Sequence, residues 1–166
     1  MDRRDALLAL ASAVGLAPFA LTEAAAQMAA PVGPDEYRAM ALMGGEFSIE
    51  TSRLALERSR DPAVRQFANV EIDEQVKIAA SLGSSPGAVP PRPDQIALVQ
   101  RLAATPPGRG FDQAYVRGQI LGHQELLQLN STYAQAGFDF QGSQVASASL
   151  PIIQQHLSVL GQLRRA

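Results

Sequence analysis

The chain has 166 residues, a formal net charge of −2 and no cysteine, and it is long enough for one domain with its own apolar core. The missing cysteine excludes disulfides and thiol nucleophiles, and the absence of a like-charged block argues against nucleic acid or an anionic membrane as a partner. Few aromatic residues and abundant alanine, leucine and glutamine favour helices over strands.

Residues 1–26 have the pattern of a secretory signal peptide. Arg3 and Arg4 precede an apolar run that is too short to span a bilayer, and small residues allow cleavage near Ala26. The paired arginines resemble a twin-arginine signal, but Ala6 stands where that pattern prefers phenylalanine, so the twin-arginine and general secretory routes both stay open. An ordinary N-terminal helix is the alternative. We expect a periplasmic or otherwise exported protein without a transmembrane segment in its mature chain.

The first two predicted helices follow a short linker at residues 27–33. One helix covers residues 34–59 and is apolar on two sides, which is typical of a helix packed between neighbours. The second begins at Asp61-Pro62, where aspartate is a good N-cap and proline suits the first helical position. It ends at Gly83, which begins a stretch rich in glycine, serine and proline.

Three further helices are predicted beyond that point. A connection of 28 residues, at 83–110, contains a short helix capped by Asp94. A long helix capped by Asp112 then reaches residue 136. The last helix runs over residues 141–163, and Pro151 either kinks it or starts it because proline lacks the amide hydrogen. We expect residues 34–166 to form a single helical domain.

Loop lengths predict how these helices are arranged. The first two long helices, and likewise the last two, are joined by only a few residues, so each pair should be an antiparallel hairpin. The long connection, fully extended, reaches roughly 90 Å, whereas a helix of this size is about 33 Å long. It can therefore cross the whole bundle. The predicted fold is an all-α, ferritin-like four-helix bundle, with two antiparallel hairpins joined by a long crossover that contains a short helix.

Polar residues interrupt the apolar faces at matching heights. Glu50 and Glu71 are equally distant from the first turn, and His123 and His156 are equally distant from the second. Equal distance from the turn of an antiparallel hairpin means equal height along its axis. We therefore expect these four residues to form one buried polar layer and to be the candidate metal ligands. The neighbouring members of the layer are Glu74, Gln75 and Gln119.

Two interpretations of the layer remain open. In the first, which the sequence favours, the side chains satisfy one another by hydrogen bonds. The protein is then a non-catalytic bundle that has no cofactor and acts on an unidentified envelope partner. In the second, the layer binds a single iron, manganese or zinc ion and is open to redox chemistry. A di-iron centre needs Glu-x-x-His on each of two helices, and residues 71–74 and 153–156 do not fit that pattern. No catalytic motif is present, so no catalytic residue is assigned.

Several short motifs occur in an order that resembles a bacterial family of unknown function, often labelled as an outer membrane protein. The resemblance covers roughly residues 36–163 and implies export and a ferritin-like fold. Many members have Asp-His in the second helix after Phe-Ala, and Glu74-Gln75 stands there in this chain, which removes a third histidine. The motifs are Gly44-Gly45-x-Phe47, Thr51-Ser52-x-Leu54-Ala55-Leu56, Val64-Arg65-x-Phe67-Ala68, Phe111-Asp112-x-x-Tyr115-Val116, Gly122-His123 and Leu150-Pro151-x-x-x-x-His156-Leu157.

Overall fold

A computed structural model describes residues 32–165 of the protein, and every regular element in that range is an α-helix. The predicted all-helical class is thereby confirmed for this part of the chain, which contains no strand. The predicted signal peptide and most of the linker lie outside the described residues. The five helices are α1 (Pro34–Arg58), α2 (Pro62–Ser81), α3 (Pro93–Ala104), α4 (Arg109–Ala136) and α5 (Phe140–Leu163).

The turn between α1 and α2 follows the prediction closely. Asp61 is the N-cap of α2, and its carboxylate accepts from the backbone amides of Ala63 at 2.8 Å and Val64 at 3.3 Å. Pro62 occupies the first helical position, where a missing amide hydrogen costs nothing. Helix α1 ends at Arg58, one residue earlier than predicted, because Ser59 has extended backbone angles and serves as the C-cap.

Two predicted N-caps are wrong. Asp94 and Asp112 both lie inside the first turn of their helices, and the capping positions are held by Arg92 and Gly108. Proline at the first position of α3 starts that helix two residues earlier than an N-cap at Asp94 implies. Gly108 has φ of 130°, a conformation that favours glycine, so α4 begins before Asp112. Aspartate in a first turn is favourable in its own right, because the helix N-terminus carries partial positive charge.

Helix α5 is continuous through Pro151. It begins at Phe140, where Asp139 accepts from the backbone amide of Gly142 at 2.6 Å. Pro151 lies inside the helix, so the option that it starts the helix is wrong. Gly137 ends α4 in the left-handed conformation with φ of 65°, which is a common way to terminate a helix before a tight turn.

Two apolar clusters occupy opposite ends of the helical assembly. One joins Tyr37 near the start of α1 with Leu82 at the end of α2 and Tyr133 near the end of α4. The other joins Ala55 near the end of α1 with residues at the starts of α2 and α4, including Phe67 and Phe111. Helix α1 therefore runs antiparallel to both α2 and α4. Buried polar residues lie between the two clusters.

The two hairpins meet along two seams. The longer seam joins α1 to α4, and the shorter one joins α2 to α5. The most extensive packing lies within the hairpins, between α4 and α5 and between α1 and α2. Helix α3 lies in the long connection and packs against α1 and α4. Within residues 32–165, none of the helices has the length and apolar character needed to cross a membrane.

Candidate metal centre

Three buried side chains from three helices converge between the two apolar clusters. Glu71 of α2 is fully buried, and its Oε2 atom lies 2.8 Å from Nδ1 of His156 and 3.2 Å from Nε2 of His123. The same two ring nitrogens are 3.1 Å apart. One carboxylate oxygen and two imidazole nitrogens thus form a nearly equilateral triangle. Among residues 32–165, this is the one group of histidine and acidic side chains close enough together to hold a metal ion.

Each histidine is fixed by a contact at its other ring nitrogen. Nδ1 of His123 lies 2.8 Å from the backbone carbonyl oxygen of Gln119, one helical turn earlier. Nε2 of His156 lies 2.9 Å from Oε2 of Glu74. The carbonyl oxygen of Gln119 only accepts, so Nδ1 of His123 carries a ring hydrogen, whereas Oε2 of Glu74 is not aligned for a hydrogen bond with His156. In the neutral imidazole of His123, the nitrogen that faces Glu71 then carries the lone pair, which is the tautomer that a metal ion requires.

The other oxygen of Glu71 is held from its own helix. Gln75 donates from Nε2 to Glu71 Oε1 at 3.0 Å, using the spacing of four residues that places two side chains on one helical face. Gly45 of α1 makes room for this amide, because a Cβ atom at residue 45 would lie only 2.8 Å from Oε1 of Gln75. The carboxylate is thus oriented through Oε1, and Oε2 faces the histidines.

A second polar network joins α4 to α1 beside this cluster. The side-chain amide of Gln119 donates to Thr51 Oγ1 at 2.8 Å, and the hydroxyl oxygens of Ser52 and Tyr115 are 2.9 Å apart. All four residues are buried, so these bonds satisfy polar groups that water does not reach. They also fix the rotation of α4 relative to α1, and with it the direction of the histidine that α4 supplies.

Burial and neighbouring charges act in opposite directions on the cluster. Burial raises the pKa of the Glu71 carboxyl, but the imidazoles of His123 and His156 together outweigh it and hold that pKa well below its usual range. For His123, burial lowers the pKa and the carboxylate of Glu71 raises it, and the net result is a raised pKa. Without a metal ion, the cluster therefore favours a carboxylate beside a protonated imidazole.

A carboxylate oxygen and two imidazole lone pairs at such short distances repel one another unless a proton or a metal ion lies among them. Oε2 of Glu71 is buried and has no aligned hydrogen-bond donor, although two ring nitrogens lie within ion-pair distance. An added proton on one imidazole, or a metal ion, would remove the repulsion. With bonds of about 2.1 Å, adjacent ligand atoms lie about 3.0 Å apart around an octahedral ion and about 3.4 Å apart around a tetrahedral one. The observed 2.8, 3.1 and 3.2 Å fit adjacent corners of an octahedron.

Glu50 was expected in the same layer, and the structure places it outside the cluster. It is half-buried on α1, where burial and the neighbouring carboxylate of Glu46 raise its pKa. The inward-facing residue of α1 at this height is Ile49, which is buried. Equal distance from the turn fixes the height of a side chain but leaves its rotation open, and consecutive residues point about 100° apart around a helix axis.

The other residues named from the sequence do lie together. Glu71, His123 and His156 form the cluster, and Glu74, Gln75 and Gln119 each contact one of its members. The network between α1 and α4, to which Thr51, Ser52 and Tyr115 belong, was not predicted from the sequence. Tyr115 lies one helical turn before Gln119 on the same face, and that spacing was the available signal.

A family model described as a domain of unknown function, DUF4142, matches residues 19–163 of the chain. The protein belongs to this family, and the expectation of a family of unknown function is confirmed. The match includes all of α1 to α5 and every residue of the cluster. No curated protein and no solved structure matches the chain.

Proposed function

For this member of a family of unknown function, we propose that the domain binds one first-row transition-metal ion through Glu71, His123 and His156. The supporting observation is the buried Oε2 atom of Glu71, which has no aligned donor and faces two imidazole nitrogens at 2.8 and 3.2 Å. Two histidines and one carboxylate on one octahedral face are typical of non-haem iron(II) sites. We therefore place Fe²⁺ and Mn²⁺ ahead of Zn²⁺, whose structural sites are tetrahedral.

The surroundings of the three ligands support the same function. Metal-binding histidines donate their second ring hydrogen to a carbonyl or a carboxylate, and bound carboxylates are themselves hydrogen-bonded. Here the carbonyl of Gln119 and the amide of Gln75 make two of these hydrogen bonds, and the carboxylate of Glu74 lies 2.9 Å from the second ring nitrogen of His156. The ring of Phe67 packs against both imidazoles, with centroid distances of 6.1 and 5.2 Å. This ring keeps bulk water away from one side of the site.

A second function is favoured by the contact between the two histidines. The 3.1 Å separation of their facing nitrogens also suits a hydrogen bond when one imidazole carries an extra proton. The cluster would then serve the fold alone, by fixing the rotation and register of α2, α4 and α5, and the protein would act through its surface. This is the non-catalytic bundle that the sequence analysis favoured.

Thermal unfolding with and without metal separates the two functions. Wild-type protein and His123→Ala are stripped with a chelator and then supplied with Mn²⁺, or with Fe²⁺ under anaerobic conditions. An ion at 100 times its Kd stabilises a fold by about 2.7 kcal/mol, which is roughly 10 °C in Tm for a domain of this size. Metal binding predicts that rise in the wild type and none in the variant. Absence of a rise in the wild type would leave the hydrogen-bonded layer.

We also propose that the domain is exported and has a ferritin-like arrangement. The leader pattern of residues 1–26 supports export. Two antiparallel hairpins and the long connection between α2 and α4 support the arrangement. Mass spectrometry of the N-terminus in a periplasmic fraction tests the first part, and intact Met1 in a cytoplasmic fraction would contradict it.

A further inference from the structure

A cleft runs along the seam between α2 and α5 and is lined at one end by Glu74, whose carboxylate contacts His156. It has a volume of about 540 Å³. Ser81 and Gln141 lie at its far end, where the side-chain amide of Gln141 donates to the carbonyl oxygen of Ser81 at 2.7 Å. Glu74 and Ile152, one turn from His156, lie at the near end. Six water molecules of about 30 Å³ each occupy roughly 180 Å³, so the cleft can hold a divalent cation with its first hydration shell.

Glu74 connects this cleft to the buried cluster. Its side chain retains 29% exposure and lines the cleft, while its Oε2 atom is shielded from solvent and lies 2.9 Å from Nε2 of His156. That oxygen has no aligned hydrogen-bond donor. The opposite nitrogen of His156 faces Glu71 at 2.8 Å. The imidazole of His156 therefore lies between the partly exposed carboxylate of Glu74 and the buried carboxylate of Glu71.

A second groove, on the other side of the molecule, lacks such a connection. It lies between α1 and α4, has a volume of about 510 Å³ and is lined largely by apolar side chains such as Met40 and Leu126. Its carboxylate, Glu125, lies 2.7 Å from the guanidinium of Arg92 and is already neutralised. A cation gains little by entering there, because its hydration shell would be lost against apolar walls.

We propose that a divalent cation reaches the site through the α2–α5 cleft, and that Glu74 is the outer carboxylate that captures it. The inference rests on the proposed metal-binding function. A carboxylate in a cleft concentrates cations and raises their association rate. Lys77 also lines this cleft, but within residues 32–165 no ion pair joins it to Glu74. Once bound there, the ion exchanges water for carboxylate oxygen and passes the edge of His156 to Glu71. Glu74 is thus a positioning residue for His156 and the entry point for the ion.

The route is tested by filling the cleft. Co²⁺ is added to the metal-free mature protein in a stopped-flow instrument, and loading is followed by the visible absorption of the bound ion. Ala148→Trp places bulk in the cleft wall, at an exposed position. We expect its association and dissociation rates to fall by the same factor, about fivefold or more, with Kd unchanged, as for any barrier on a shared path. Gln128→Trp, which places the same side chain beside the other groove, should leave both rates unchanged.

The role of Glu74 is tested with a charge-matched pair. Glu74→Gln should lower the association rate by about tenfold, because it removes the attracting charge. Asp73→Asn removes the same charge from an exposed neighbouring position of α2 and should stay within about twofold of the wild type. An unchanged association rate with faster dissociation in Glu74→Gln would reduce Glu74 to a residue that orients His156, and its capture role would be lost.

The two levels of proposal fail in different ways. If the wild type binds Co²⁺ and Ala148→Trp leaves both rates unchanged, the α2–α5 route is overturned and the proposed metal site stands. If the wild type binds no Co²⁺, Mn²⁺ or Fe²⁺, the proposed function is overturned, and the route with it.

Discussion

Removing Glu71 and His123, singly and together, tests whether the two residues share one buried network. Glu71 contacts three side chains, from Gln75, His123 and His156, so Glu71→Ala removes a contact from three buried polar groups. Loss of one member of a buried ion pair costs about 3–5 kcal/mol. His123→Ala leaves Glu71 its contacts with Gln75 and His156, so we expect a smaller loss, of about 2–3 kcal/mol.

The double variant separates coupling from simple addition. Residues in one buried network show coupling energies of about 0.5–3 kcal/mol, so the double change should cost less than the sum of the single changes by that amount. Urea denaturation of metal-free protein in the presence of chelator gives the three free energies of unfolding. Glu57→Ala, at an exposed position of α1, is the control and should combine additively with His123→Ala. Strict additivity of the Glu71 and His123 changes would show that the two residues do not interact.

Three further predictions concern the scaffold around the site. Gly118→Ala should stabilise α4 by up to about 1 kcal/mol, because the nearest side-chain atom lies 3.7 Å from the added methyl group. Gly45→Ala should lose that gain and weaken metal binding, because its methyl group would lie 2.8 Å from Oε1 of Gln75 and displace that side chain. Chemical denaturation measures the stability of both variants, and metal titration measures their binding. Asp61→Ala removes the N-cap of α2 and should cost about 1 kcal/mol in the free energy of unfolding, and an unchanged value would contradict the capping role. The pKa of Asp139 is lowered by a tyrosine hydroxyl and by the backbone at the start of α5, so its contribution to stability is present above about pH 4 and is lost as the pH falls through the lowered pKa. The Tm difference between wild type and Asp139→Asn should therefore shrink at acid pH. A difference that grew at acid pH would refute this prediction.

The helices could be predicted because proline and aspartate mark their starts. Asp61-Pro62 predicted the start of α2, because aspartate suits the N-cap and proline suits the first helical position that follows it. The starts of α3 and α4 were misplaced for a physical reason. Aspartate is favourable both as an N-cap and within the first turn, so the presence of Asp94 or Asp112 does not distinguish the two positions.

The site could be predicted in part for a similar reason. The distance of a residue from a hairpin turn gives its height, and that was enough to bring His123 and His156 together. The direction in which each side chain points depends also on the rotation of its helix about the helix axis, and the distance from the turn does not fix that rotation. Gly45 approaches Gln75 across the α1–α2 hairpin, and on α1 Ile49 is buried whereas Glu50 is half-buried. Contacts between α1 and α4 depend on the long connection between the hairpins, and no pattern within a single helix fixes them.

The most direct test of the metal site is the stoichiometry of binding. Metal-free wild-type protein, Glu71→Ala and His123→Ala are dialysed to equilibrium against the same low concentration of Mn²⁺, and the bound metal is measured by elemental analysis. We expect one ion per chain in the wild type and almost none in either variant, with all three proteins still helical by circular dichroism. Equal amounts of metal in the wild type and the two variants, or no metal in the wild type, would contradict the assignment of Glu71, His123 and His156 as ligands.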